Sequence, residues 1–225
     1  MNVKAGYLDY VKTLPQYLLP QRGLSHAMHY LAQIRIRWLK NSLITMFIRA
    51  YDVDMSSAEI SEPSGYRHFN AFFTRRLQAN ARPLAATAQS LICPVDGTVS
   101  ELGRIDHGRI LQIKNQSYGL AQLLPQSKYL QHFTDGLFAT LYLAPQDYHR
   151  VHCPWEGDLV EVSYQPGRLF AVNPSSVRTV RGLFCRNERV CCVFSTSLGS
   201  IAVILVGAFL VGSIETVWHG AYTPP

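Results

Sequence analysis

Hydrophobic positions recur at helical spacing over two N-terminal stretches and gather into short apolar runs over the rest of the chain. Tyr7–Leu19 and His26–Arg49 read as helices. In the second, Ala27, Leu31, Ile34 and Trp38 fall on one stripe at three- and four-residue spacing. Arg35, Arg37 and Lys40 flank or oppose that stripe, while Ile36 and Leu39 keep the other face partly apolar. Ser56–Ala88 carries Pro63, Gly65 and Pro83 around an expected short helix at Phe69–Leu77, and links the N-terminal helices to the sheet. Strands are expected at Gly97–Gly103, Arg109–Ile113, Leu137–Leu143 and Asp158–Tyr164, with turns at Asp106-His107-Gly108 and Gln165-Pro166-Gly167. The reading is α+β: amphipathic N-terminal helices, then a β-rich domain with long connections.

Val190–Ile214 runs 25 residues without a charge, long enough by count to cross a bilayer. Ser-Thr-Ser-Leu-Gly-Ser (195–200), Gly207 and Gly212 divide it, and it is rich in Val and Ile. Two or three buried strands joined by tight turns fit better than one helix. The N-terminal helices are too often interrupted by charge to span, their longest uncharged piece being Asn41–Ile48.

The net charge of +6 is uneven. Residues 1–50 hold seven basic side chains and one acid, Asp9, and the rest of the chain holds 14 of each sign. Basic residues interleaved with Leu, Ile, Trp and Phe suit an anionic bilayer surface better than nucleic acid. Two placements stay open for these helices, lying on a membrane or packed on the domain, and the composition favours the first. Five cysteines (93, 153, 185, 191 and 192) form no CxxC pair and sit in apolar surroundings, which predicts buried thiols in a reducing compartment. The N-terminus has no secretory signal pattern.

Chemistry concentrates in Asp147-Tyr-His-Arg-Val-His152, placed where a strand should end. Histidine moves protons near neutral pH, and a nearby carboxylate can fix its tautomer. In an extended segment His149 and His152 point to opposite faces and do separate jobs, although Pro145 could relax this. Asp96, in Cys-Pro-Val-Asp-Gly-Thr-Val, is a carboxylate at a turn entering a strand, where Asp-Gly is also an ordinary turn signal. No third or fourth ligand accompanies the two histidines at metal-binding spacing, so no metal site is expected. Ser200 and Ser213 are the candidate nucleophiles by context, and both also read as strand serines.

Several stretches together resemble one family: Tyr66-Arg-His-Phe-Asn-Ala-Phe-Phe73 with Arg76 and Arg82-Pro83, Pro94-Val-Asp-Gly-Thr-Val99, Tyr142–His152, Pro166-Gly-Arg-Leu-Phe-Ala-Val-Asn173, Arg186-Asn-Glu-Arg189, and Leu205–Ala208 with Val211–Trp218. In order and combination they are similar to the membrane-associated bacterial phosphatidylserine decarboxylases. The resemblance implies a proenzyme in which a Leu-Gly-Ser serine attacks the preceding carbonyl, splits the chain into β and α subunits, and becomes a pyruvoyl group. That group would form a Schiff base with the substrate amine and take up the electrons released with CO2. It further implies that Asp96 and His152 activate the serine, that Asp147 supports that relay, and that His149 serves decarboxylation. Expected partners are phosphatidylserine, an anionic membrane surface, the α subunit and a homodimer mate, on the cytoplasmic side of the inner membrane.

By that resemblance the fold is a sandwich- or barrel-like catalytic domain, incomplete at the C-terminus, with residues 1–50 membrane-surface helices, 51–90 a helical linker and 91–225 the β-rich part. The pyruvoyl serine is expected beyond Pro225, which would leave this chain inactive without an α segment. Leu198-Gly-Ser200 precedes the Gly-Ser-Ile-Glu-Thr-Val-Trp stretch, unlike the family's processing motif, and reads as a hairpin turn. Two further readings are a non-catalytic membrane-surface binding protein and a metal-dependent hydrolase built on His149 and His152.

Overall fold

The computed structural model describes residues 5–84, 90–113 and 116–222. Residues 85–89 of the expected linker and the last three residues lie outside that description. The chain divides into two compact units, and the division falls inside strands β1 (Thr98–Arg104) and β4 (Leu137–Tyr142), which pair with each other.

Unit one comprises Met1–His26, Ser100–Thr140 and Glu156–Pro225. Its main sheet has the order β5-β6-β7, antiparallel throughout, from Gly157–Gln165, Arg189–Thr196 and Gly199–Val206. The first six residues of β6 are buried, as expected of a strand covered on both faces. A turn at Ser197–Leu198 joins β6 to β7, with Gly199 at φ +103° and Thr196 Oγ1 donating to the Gly199 carbonyl at 2.7 Å. Leu198-Gly-Ser200 is therefore a hairpin, and the apolar run 190–214 supplies strands rather than a span. No described helix is long and apolar enough to cross a membrane.

A second pair, β2 (Arg109–Ile113) with β3 (Gln116–Gly119), lies after the turn at Asp106-His107-Gly108. Ile110, Tyr118, Leu124, Cys191 and Val193 share one core. A smaller cluster of Phe170, Val180 and Leu183 joins helices Pro174–Thr179 and Leu183–Arg186.

Asn187 and Arg189 form a polar spine through unit one. The Asn187 amide bridges both backbone groups of Phe170 and the Gly207 carbonyl. The Arg189 guanidinium donates to the carbonyls of Gln122, Leu123, Cys185 and Asn187. Gly167 lies against this spine so closely that a Cβ there would meet the Arg186 carbonyl at 2.5 Å.

The N-terminal helices depart from expectation. Tyr7–Leu19 is two helices, α1 (Tyr7–Thr13) and α2 (Pro15–Leu18), because Pro15 begins a new helix better than it continues one. His26–Arg49 is also two, α3 (Gln21–Ala32) and α4 (Arg37–Tyr51), separated where Ile36 is extended. The expected stripe is not a core face: Trp38 is 71% exposed and Leu31 is exposed, while Ile44, Phe47 and Ile48 make the packing of α4. α1, α2 and the first residue of α3 dock on the rest of unit one through polar atoms. Asp9 pairs with Arg178 at 2.7 and 2.9 Å, Gln16 accepts from the Ala171 amide, and Gln21 accepts from the Leu169 amide. Leu8, Val11, Leu14 and Leu18 are left facing solvent.

Unit two comprises Ala27–Val99 and Leu141–Trp155. Its core is Ile44, Val53, Tyr66 and Phe72. The helix expected at Phe69–Leu77 is shorter, α5 (Phe69–Phe73), capped by His68 Nδ1 accepting from the Ala71 amide.

The four expected strands are present, and the class is α+β. Among the described residues no sheet closes into a barrel, each having only two or three strands. Cys191 and Cys192 are buried as expected, whereas Cys93 is exposed beside the Pro94 turn.

Candidate active site

The site lies within unit two, where the loop after β4 meets the end of α5 and the strand-entry turn at Asp96. Apolar β4 stops before Pro145, and the chain turns tightly, the Asp147 amide donating to the Ala144 carbonyl at 3.0 Å. The Asp147 carboxylate closes the same turn by accepting from the Ala144 amide at 2.6 Å. The next segment, through His152, is irregular rather than a strand.

Three consecutive residues at the end of α5 grip this loop. The Phe73 ring lies 4.0 Å from the His149 ring, the Thr74 carbonyl accepts from Arg150 Nε at 2.9 Å, and Arg75 Nη2 donates to the Gln146 carbonyl at 3.0 Å. His149 Nδ1 lies 2.8 Å from the Asp147 carbonyl oxygen. A carbonyl only accepts, so in the neutral ring Nδ1 carries the proton and Nε2 keeps its lone pair. Burial lowers the His149 pKa from its ordinary value and Arg75 adds to this, against the opposing pull of the Asp147 carbonyl and carboxylate. These effects favour the neutral ring, whose Nε2 lone pair is its basic site.

His152 has different surroundings. It is exposed, its ring stacks on Tyr148 at 5.7 Å, and its Nε2 lies 3.2 Å from the Tyr148 hydroxyl. Its amide donates to the Pro94 carbonyl at 2.8 Å, which ties the loop to the Asp96 turn. Gly97 completes that turn: a Cβ there would meet the Tyr142 carbonyl oxygen at 2.5 Å, so only glycine lets the turn reach the end of β4. The Asp96 carboxylate is engaged by Arg82, with Nε 2.9 Å from each oxygen and Nη2 closer still.

The four residues singled out from the sequence therefore fall in one unit, around one loop and one turn. Asp147 holds His149 through its backbone carbonyl and acts on the ring by charge, with its carboxylate engaged by the turn. Among the described residues no group of three or more His, Cys, Asp or Glu is arranged to hold a metal ion.

The family model described as phosphatidylserine decarboxylase matches residues 69–223, spanning this whole site, and a second, described as PSD, matches 11–52. The chain belongs to the phosphatidylserine decarboxylase family. A phosphatidylserine decarboxylase proenzyme of Ectopseudomonas mendocina is 52% identical over 213 residues, covering 94% of this chain and 74% of that relative. One from Pseudomonas aeruginosa is 52% identical over 221 residues (98% and 76%), and one from Nitrosococcus oceani 51% over 218 (96% and 71%). Family membership makes the chain a decarboxylase, a lyase of phospholipid biosynthesis whose relatives are made as proenzymes.

Sequence reasoning missed Phe73 and Arg75 as parts of the site, and gave Arg82 no role. By pattern alone Phe73 is the end of an apolar stretch, and Arg75 is one of two adjacent arginines with nothing to set it apart from Arg76. The available signal was a Thr-Arg-Arg step directly after a run of aromatics, where helix-end arginines turn inward or outward by position.

Proposed function

We propose that this decarboxylase converts phosphatidylserine to phosphatidylethanolamine and CO2 at the loop Asp147–His152, using a pyruvoyl group formed by serine self-cleavage. A pyruvoyl carbonyl, when present, supplies an electron sink for the pair left behind as CO2 departs. The donor set suits such a group: an imidazole whose Nε2 keeps its lone pair lies against an aromatic ring.

The observation that carries this reading is His149 itself, packed against the tilted Phe73 ring and held in one tautomer by the Asp147 carbonyl. Its Nε2 takes up a proton and returns it to the substrate carbon that lost CO2. Asp147 shapes the turn and supports that basicity. Asp96 and His152, which lie on segments tied together by the His152–Pro94 hydrogen bond, activate the serine during self-cleavage, with Arg82 holding the Asp96 carboxylate in place.

In this reading the enzyme sits peripherally on the cytoplasmic face of the inner membrane. The polar side of α1 and α2 is used for docking on the rest of unit one while their apolar side is exposed, the reverse of a helix packed on a core. That arrangement supports burial of Leu8, Leu14 and Leu18 among acyl chains.

The test uses protein expressed from its natural gene. Intact-mass measurement should find two fragments, the smaller bearing a pyruvoyl N-terminus, and phosphatidylethanolamine should form from phosphatidylserine. His149→Gln should leave self-cleavage intact and lower turnover by roughly 100-fold or more. Full turnover in that variant would remove His149 from the chemistry.

A further inference from the structure

Arg75 is a buried charge that the fold does not answer. It exposes 4% of its surface, and Nη2 makes its one hydrogen bond, to the Gln146 carbonyl. Nε and Nη1 are buried with no hydrogen-bond partner among the described residues. The guanidinium carbon lies 5.6 Å from the centre of the Phe72 ring, a contact that satisfies no N–H. Asp54, Asp96 and Asp147 act on it electrostatically, yet no described carboxylate comes within 4.0 Å of it. An isolated buried guanidinium is strongly unfavourable in general, and an apolar side chain of similar volume would serve packing better. Such a group is explained by an anion that arrives with a ligand.

The proposed substrate carries two anionic groups, a carboxylate and a phosphodiester. Decarboxylation removes the carboxylate charge as CO2 leaves. A guanidinium held on that carboxylate would stabilise the ground state more than the transition state and slow the reaction. The phosphodiester keeps its charge throughout, so binding it anchors the headgroup without slowing the chemical step. Arg75 also stands two residues from Phe73, whose ring packs on His149, so an anion held there lies beside the reacting end.

We propose that Arg75 binds the phosphodiester of the substrate headgroup through the donors the fold leaves open. The proposal rests on phosphatidylserine being the substrate. It assigns Arg75 to substrate binding, with no part in self-cleavage.

The test compares the naturally encoded protein with Arg75→Gln and Arg75→Lys. Each should self-cleave. Against dihexanoyl phosphatidylserine, Arg75→Gln should raise KM by about 30-fold, the loss of one charged contact, and Arg75→Lys by less. Calorimetry with dihexanoyl phosphatidylglycerol, a phosphodiester with no carboxylate, should detect binding to wild type and at least about tenfold weaker binding to Arg75→Gln. Inorganic phosphate should compete only weakly with it. An unchanged KM, failure of the folded variants to self-cleave, no binding of the diester to wild type, or equal competition by inorganic phosphate would each overturn the proposal. If Arg75→Gln does not fold, the lysine variant and the wild-type binding measurement decide. Wild-type protein that releases no CO2 from phosphatidylserine overturns the substrate reading itself, a result distinct from an active wild type whose Arg75→Gln variant keeps its KM.

Discussion

Arg189 and Arg75 are equally buried and chemically identical, and the protein treats them in opposite ways. In unit one the Arg189 guanidinium meets four backbone carbonyls, and Asn187 beside it is bonded through both ends of its amide. In unit two Arg75 meets one carbonyl and keeps two nitrogens open. A satisfied buried cation fixes a core, whereas an unsatisfied one destabilises the fold and needs a reason outside folding. The same contrast holds for the aromatic residues nearby. Phe170 is enclosed within its own cluster, while Phe73 lends its ring to His149.

Three substitutions sharpen this contrast. Asn187→Ala should cost the most stability, about 2–3 kcal/mol, because it leaves the Phe170 and Gly207 backbone groups unpaired in a dry interior. Urea unfolding measures it, and a loss below about 1 kcal/mol would mean the spine is not structural. Phe73→Leu should act mainly on turnover, lowering it roughly tenfold by loosening His149, with a stability loss below about 1.5 kcal/mol from the packing on Phe47 and Phe69.

Glu188→Gln should have the smallest effect, seen in pH dependence. Burial raises the Glu188 pKa above 4.5, despite the Tyr164 hydroxyl at 3.3 Å. The folded state therefore holds this proton more tightly than the unfolded state. Its contribution to stability is full below pH 4.5 and is lost as pH rises through the folded value. The glutamine variant should be more stable than wild type at pH 7 and should flatten that part of the profile. A steeper profile would reverse the sign of the argument.

Much of the fold is legible in the sequence because period-2 patterning and turn residues are local properties. Patterning predicts Arg109–Ile113 with its observed bounds, and the serines and glycine that interrupt an apolar run predict the Leu198-Gly-Ser200 hairpin. The helix breaks at Pro15 and Ile36 are less visible, since apolar spacing continues across both. The exposure of Trp38 cannot be read from a stripe at all, because periodicity marks an apolar face without naming what covers it.

Within the site, residue type and density point to Asp96, Asp147, His149 and His152. They do not point to Phe73 and Arg75, whose part comes from α5 ending against a loop about 70 positions later in sequence, a tertiary fact. Asp147 illustrates the same limit: the sequence draws attention to its carboxylate, and the structure places its backbone carbonyl on the imidazole.

The most direct measurement is a matched pair, Arg75→Gln and Arg189→Gln, with unfolding free energy and KM for phosphatidylserine taken on the same preparations. The account predicts that Arg189→Gln loses about 3 kcal/mol or more, with KM unchanged in the folded fraction. Arg75→Gln should stay within about 1 kcal/mol of wild type while its KM rises about 30-fold. Equal losses of stability in the two variants, or an Arg75→Gln enzyme with wild-type KM, would contradict it.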